Sequence, residues 1–250
     1  MTDPSPVLNL PKSRPERWTA LRTLIGQWYK PLSDDDGARR TDLDEAEHSL
    51  GISLPITLRE WYTLAGNRHD VWCAQDQLVR PESLAVRDDV LVFYIENQGV
   101  VRWGIPVASL GLDDPPVVVE SVDQANHWIT ENRTLSEFAV QMAVFNIKWS
   151  SKNRCWANGV GNSAAFDLIA ANYPHFAFPD WYWPCGSHTK FYGFGDIIIE
   201  TNHGTDWIWV ATRTESSYQR FCSLLAPAGI QWESSSDEWP AGWVSSGDDS

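Results

Sequence analysis

The chain has 250 residues, enough for one large core or two modest ones, and its 43% hydrophobic and 21% charged content is that of a globular protein. Its 33 acidic and 19 basic residues give a net charge of −14, concentrated in residues 41–250 at −16, a field that disfavours nucleic acid and attracts basic partners. No apolar run approaches the roughly 20 residues needed to cross a bilayer, and the segment MTDPSPVLNLPKSRPE lacks a charged leader followed by an apolar run, so the expectation is a cytoplasmic chain with no membrane partner.

Trp18, Leu21, Ile25 and Trp28 recur at helical spacing behind the start signals Ser13, Pro15 and Glu16, and Asp34-Asp35-Asp36-Gly37 breaks that helix. Thr41 is placed to cap a second helix with Leu43, Ala46 and Leu50 on its apolar face and Gly51 as its stop. A third helix has Pro55 in its first turn, Leu58, Trp61, Tyr62 and Ala65 on one side, and Gly66-Asn67 at its end. From Val90 the period shortens: Val90 to Glu96 and Val100 to Pro106 read as a hairpin joined across Asn97-Gln98-Gly99. Val117 to Glu120 is a third strand, entered through Asp113-Asp114-Pro115-Pro116, and Trp128 marks a fourth. Thr134 and Glu137 form a capping box opening a helix with Leu135, Phe138, Ala139, Met142 and Phe145 on one face.

Beyond residue 150 the spacing predicts a helix near Ser163 to Tyr173, an aromatic Pro-rich segment through Trp181-Tyr182-Trp183-Pro184, a hairpin from Asp196 to Thr212 turning at Asn202-His203-Gly204, and a last amphipathic helix through Tyr218, Phe221, Cys222 and Leu225. Residues 233–250 hold five acids and no bases and read as a mobile tail. The fold class is α+β: a central, mostly antiparallel sheet with helices packed on it, followed by a C-terminal α+β extension. The expected organisation is an N-terminal segment 1–40 with one helix, a domain 41–150, an extension 151–232 whose strands either form their own sheet or join the first, and the tail 233–250.

Catalytic signatures are missing from this pattern. Cys73, Cys155, Cys185 and Cys222 form no C-x-x-C pair and read as scattered reduced thiols, and the six histidines have no metal-ligand spacing, so no metal and no cofactor are expected. There is no G-x-S-x-G, no G-x-x-x-x-G-K-[ST] and no H-E-x-x-H. A carboxylate pair such as Glu200 with Asp206 is more simply solvated or turn-forming. The fifteen tryptophans, among them Trp181, Trp183, Trp207 and Trp209, raise a sugar-binding platform as an alternative. Trp207 and Trp209 alternate with Ile208 and Val210, however, which suits a strand covered on both faces.

Three stretches resemble the SUKH superfamily, the Smi/Knr-type domains of bacterial toxin-immunity proteins and of a fungal cell-wall regulator: LDEAEHSLGISLPITLREWYTLAGN (Leu43 to Asn67), FYIENQGVVRWGIP (Phe93 to Pro106) and DDPPVVVE (Asp113 to Glu120). The matching positions, Leu50, Gly51, Leu54, Pro55, Tyr62, Gly66, Glu96, Asn97, Gly99, Trp103, Pro115 and Pro116, have structural uses. Gly99 suits a positive φ, Asn97 is placed to bond the turn backbone, and Trp103 to cover the sheet. The resemblance implies a non-catalytic immunity protein that binds a cognate basic protein toxin, for instance a nuclease, and blocks its active or substrate-binding surface. Glu96, Asp113, Asp114 and Glu120, around the hairpin rim, are the candidate contact acids. The alternatives are a regulatory scaffold for cellular proteins, the tryptophan-based sugar binder and an unrecognised hydrolase.

Overall fold

Apolar residues at helical spacing form α1 (Arg14–Trp28), which buries Leu21, Leu24, Ile25 and Trp28 and starts where the Ser13 hydroxyl donates to Glu16 at 2.6 Å. The computed structural model describes residues 9–120, 127–150, 155–179, 181 and 189–236. Asp34–Asp36 make one 3-10 turn, and Asp36 accepts hydrogen bonds from the Ser33 amide and hydroxyl. Helix α2 (Arg40–Leu50) begins one residue earlier than its expected cap, Thr41. The Arg39 guanidinium grips the Asp42 carboxylate at 2.7 and 3.1 Å and closes that first turn instead. Pro55 stands just before α3 (Ile56–Ala65), and a single further turn, α4 (His69–Trp72), follows.

The first sheet contains β1 (Gln77–Leu78), β2 (Ala85–Arg87), β3 (Val90–Ile95), β4 (Arg102–Pro106), β5 (Val117–Glu120) and β6 (Trp128–Asn132). It is antiparallel, in the order β1-β3-β4-β5-β6, with β2 also pairing β3. The predicted hairpin is β3 and β4, with Tyr94 opposite Trp103 and an irregularity between Val92 and Tyr94, where the Phe93 carbonyl accepts from the Val79 amide at 2.9 Å. Helix α5 (Leu135–Trp149) carries the predicted face, Leu135, Phe138, Ala139, Met142 and Phe145, fully inside. Its other sides are buried as well, through Val140, Val144 and Ile147.

The core of this region is aromatic. Trp61 of α3 meets Trp72, Phe93, Tyr94 and Phe138 at ring-centroid distances of 5.1 to 6.2 Å, and Trp103 packs against Tyr94 and Phe138. A polar chain runs through it. The Tyr94 hydroxyl donates to the Trp72 carbonyl at 2.8 Å, and Asn146 Nδ2 donates to the same hydroxyl at 3.0 Å. Burial pushes the Tyr94 phenol well above its ordinary range, so it stays a donor.

The second sheet contains β7 (Cys155–Val160), β8 (Thr189–Phe194), β9 (Ile197–Asn202), β10 (Trp207–Thr212) and β11 (Gln231–Ser235), antiparallel in the order β11-β7-β10-β9-β8. Helices α6 (Ser163–Asn172) and α7 (Glu215–Leu225) contribute Phe166, Ile169, Phe221 and Leu225 to a core with Ile199, Ile208 and Val210. Each helix starts on a side-chain cap: Asn162 accepts from the Ala165 amide at 3.0 Å, and Thr214 from the Ser217 amide at 3.3 Å.

Among the described residues, strands on the two sides of residue 150 thus belong to separate sheets and do not join into one. The described residues divide into two compact units, Pro11–Asn146 and a second from Ile147 onward, so α1 belongs with the first sheet and not to a separate segment. The acidic segment expected as a tail from Glu233 begins instead as a strand, because Gln231–Ser235 pairs with β7; residues 237–250 of that expected tail lie outside the described residues.

Candidate partner-binding surface

The site is built on the corner between α2 and α3. Gly51, at φ 66°, ends α2 in the left-handed conformation, which a side chain rarely adopts. Glu47 then closes the corner: one oxygen accepts from the Leu54 amide at 2.7 Å, and the other pairs with Arg59 at 2.8 Å. Leu54 and Pro55 are buried behind it. Tyr62, one helical side further on, donates its hydroxyl to the Val79 carbonyl, and Gly66 returns its amide to the Tyr62 carbonyl at 2.8 Å. Burial raises the Tyr62 phenol far above its ordinary value, which keeps this tie protonated.

Helix α2 packs on the short 3-10 turn Pro81–Ser83, and between them lies a cleft of about 480 Å³. Its apolar lining is Ala46, Leu50, Pro81 and Leu84; its polar lining is Arg39, Asp42, Glu45, Ser49 and Glu82. Arg39 and Asp42 neutralise one another. Glu45 and Glu82 are exposed and make no hydrogen bond or ion pair among the described residues, so with Arg39 the one base against Asp42, Glu45 and Glu82 the cleft is net negative. These two acids are not among the residues the sequence singled out. They come from distant segments, and only the packing of the corner on the Pro81 turn brings them together.

The four acids expected at the hairpin rim have different surroundings. Glu96 is buried, and its Oε2 accepts from the amides of Gln98 at 2.8 Å and Val100 at 3.3 Å. It performs the turn-bonding task assigned to Asn97, which is exposed; the longer Glu96 side chain, rooted at the end of β3, spans the loop around Gly99 at φ 73°. Glu120 is buried and pairs with Arg102 across the sheet at 2.6 Å. Asp114 accepts from the Ser136 amide at 2.9 Å and lies 3.5 Å from Arg17, so it anchors the start of α5. Asp113 alone of the four is open, with a side chain 84% exposed and Arg14 at 3.7 Å. Trp103 is fully buried with its N–H 3.4 Å from Glu131, and Pro115 is buried beside the half-buried Pro116.

The chemical alternatives also have definite geometry. Trp181 is fully buried against Phe191, Trp209 is buried between Trp149 and Trp156, and Trp183 lies outside the described residues. Glu200 is buried in an ion pair with Lys148, while Asp206 sits in the exposed turn after β9. Cys73 approaches His69 at 3.6 Å, but burial pushes the thiol up and away from the thiolate that a nucleophile requires. Among the described residues no group of three His, Cys, Asp or Glu is disposed to hold a metal ion, and no helix is long and apolar enough to cross a membrane. Cys185 and His188 lie outside the described residues.

Compared with protein-family models, curated proteins and solved structures, the chain has no match in any of the three.

Proposed function

We propose that this chain is an immunity-type binding protein of the SUKH kind, which captures a basic protein toxin and blocks its active or substrate-binding surface. The observation that carries this reading is the cleft between α2 and the Pro81 turn, where Asp42, Glu45 and Glu82 outnumber Arg39 beside the half-buried Leu50. Such a surface offers charge for steering a cationic partner and apolar area for holding it. The corner motif, on this reading, is scaffold: Gly51, Glu47 and Leu54 shape the wall from which the acids project. The buried state of Glu96 and Glu120 moves the proposed contact away from the hairpin rim and leaves Asp113 as its one open acid.

The test is co-expression with toxins encoded beside the gene, followed by co-purification. Protection of the host cell, and a complex whose association slows as salt is raised, are the expected results. The paired change Glu45→Lys with Glu82→Lys should slow association by about tenfold or more while the melting temperature stays near that of the parent chain. Absence of both protection and a co-purifying basic protein would defeat the proposal. Stable capture of host proteins without protection would favour the regulatory scaffold instead.

A further inference from the structure

The opposite chemistry appears on another face of the first unit. Trp18 and Arg22, one turn apart on α1, line a groove of about 490 Å³ together with Ile56, Arg59 and Leu64 of α3 and with Arg40 at the start of α2. The Trp18 indole N–H donates to Glu60 at 2.7 Å, and Glu60 also pairs with Arg14 at 3.0 Å, which fixes the ring by its edge and neutralises that carboxylate. Arg59 is held by Asp44 at 2.6 Å and Glu47 at 2.8 Å. Arg22 and Arg40 are different: both are exposed, and neither makes a hydrogen bond or ion pair among the described residues. Ile56 is 46% exposed beside them.

A chain of net charge −14 pairs Arg14, Arg17, Arg39, Arg59, Arg68 and Arg102 with acids, while Arg22 and Arg40, like Arg80, Arg87, Arg133 and Arg213, make no ion pair among the described residues. Two guanidiniums left over in one groove, next to an edge-anchored indole and an open isoleucine, make a recess complementary to carboxylate and apolar side chains together. We propose that this groove docks an acidic peptide segment of a partner protein, with carboxylates on Arg22 and Arg40 and an apolar side chain between Trp18 and Ile56. A groove lined by helical side chains of α1, α2 and α3 suits a short peptide. A peptide that spaces its carboxylates with apolar side chains matches two arginines beside Trp18, Ile56 and Leu64 better than nucleic acid, whose closely spaced phosphates outnumber the two bases. This docking is separate from the capture of a basic partner at the acidic cleft.

The probe is a fluorescein-labelled peptide in which Asp and Glu alternate with Leu and Trp, titrated into the full chain and followed by fluorescence anisotropy. Saturable binding that weakens with added salt is expected, with a loss of about tenfold or more in Arg22→Glu/Arg40→Glu. Melting curves check that this variant is folded; if it is not, Arg22→Gln/Arg40→Gln is read in its place, with a smaller loss. A matched peptide carrying Asn and Gln should not bind, and an unlabelled single-stranded oligonucleotide of equal charge should not displace the acidic one. The proposal is overturned by the absence of saturable binding to the parent chain, or by variants that bind as tightly as it does. Equal binding of the amide peptide, or displacement by the oligonucleotide, overturns it as well.

Discussion

Both units bury tryptophans, yet the rings keep different company. In the first, Trp61 sits among Trp72, Phe93, Tyr94 and Phe138, and the Tyr94 hydroxyl bonds to the Trp72 carbonyl and the Asn146 amide, with the buried carboxylates of Asp76 and Glu131 acting on Tyr94 and Trp103. In the second, Trp149 and Trp209 meet at 4.3 Å above an ion pair: the Lys148 ammonium lies 5.2 and 5.4 Å from their ring centroids and bonds to Glu200, with both charges about 95% buried. Two charges taken out of water give back much of their attraction. Around Trp61 the packing is ring against ring, whereas around Trp209 it includes a buried cation and anion that must stay together.

The widest separation between the two should come from Trp61→Ala. Removing the central ring is expected to cost about 4 kcal/mol, read as an earlier urea transition for the first unit, since partial collapse cannot refill the space between four other rings. A variant that melts like the parent would mean that the cluster is not the keystone of that core. Next comes Glu200→Ala, which deprives a buried ammonium of its carboxylate and should cost about 3 kcal/mol. The distinguishing observation is the double change Lys148→Met/Glu200→Leu, which should recover most of that loss; a double variant as unstable as the single one would show that the pair contributes net stability. The smallest effect sharpens the comparison from the other side. Burial holds the Glu137 carboxyl of the first unit above its ordinary pKa, although Arg17 pulls it down. A raised folded value favours the fold fully below the ordinary carboxylate range, and that contribution is lost as pH rises through it. Glu137→Gln should accordingly raise the melting temperature by about 1–2 °C near pH 7, and the gain should fade toward about pH 4.

The elements with strong periodicity were legible in the sequence: α1, α2, α3, α5, α6 and α7, the hairpin of β3 and β4, and the strand Val117–Glu120. What was not legible depended on partners far along the chain. Strand β2 turns into β3 through Asp88-Asp89, both at positive φ, where Asn-Gly would have signalled the turn. Strand β7, with Asn158 and Gly159 in its middle, has a sequence that reads as a loop and becomes a strand because β10 and β11 pair on its two sides. The candidate acids divided for a similar reason. Exposure around a hairpin can be read from turn residues, but not that Glu96 folds back on its own loop or that Arg102 lies opposite Glu120. The acidic cleft and the basic groove arise where helices meet distant segments, so neither has a local signature.

The position of β11 bears on how the protein is handled. Were the chain shortened to end at Ile230, β7 would lose the neighbour that pairs with Val160, Gly159, Asn158 and Ala157 and would present a row of unsatisfied amides and carbonyls to solvent. Such a rim templates pairing between molecules, so a truncation that removes this strand with the acidic, serine-rich segment after it would favour aggregation.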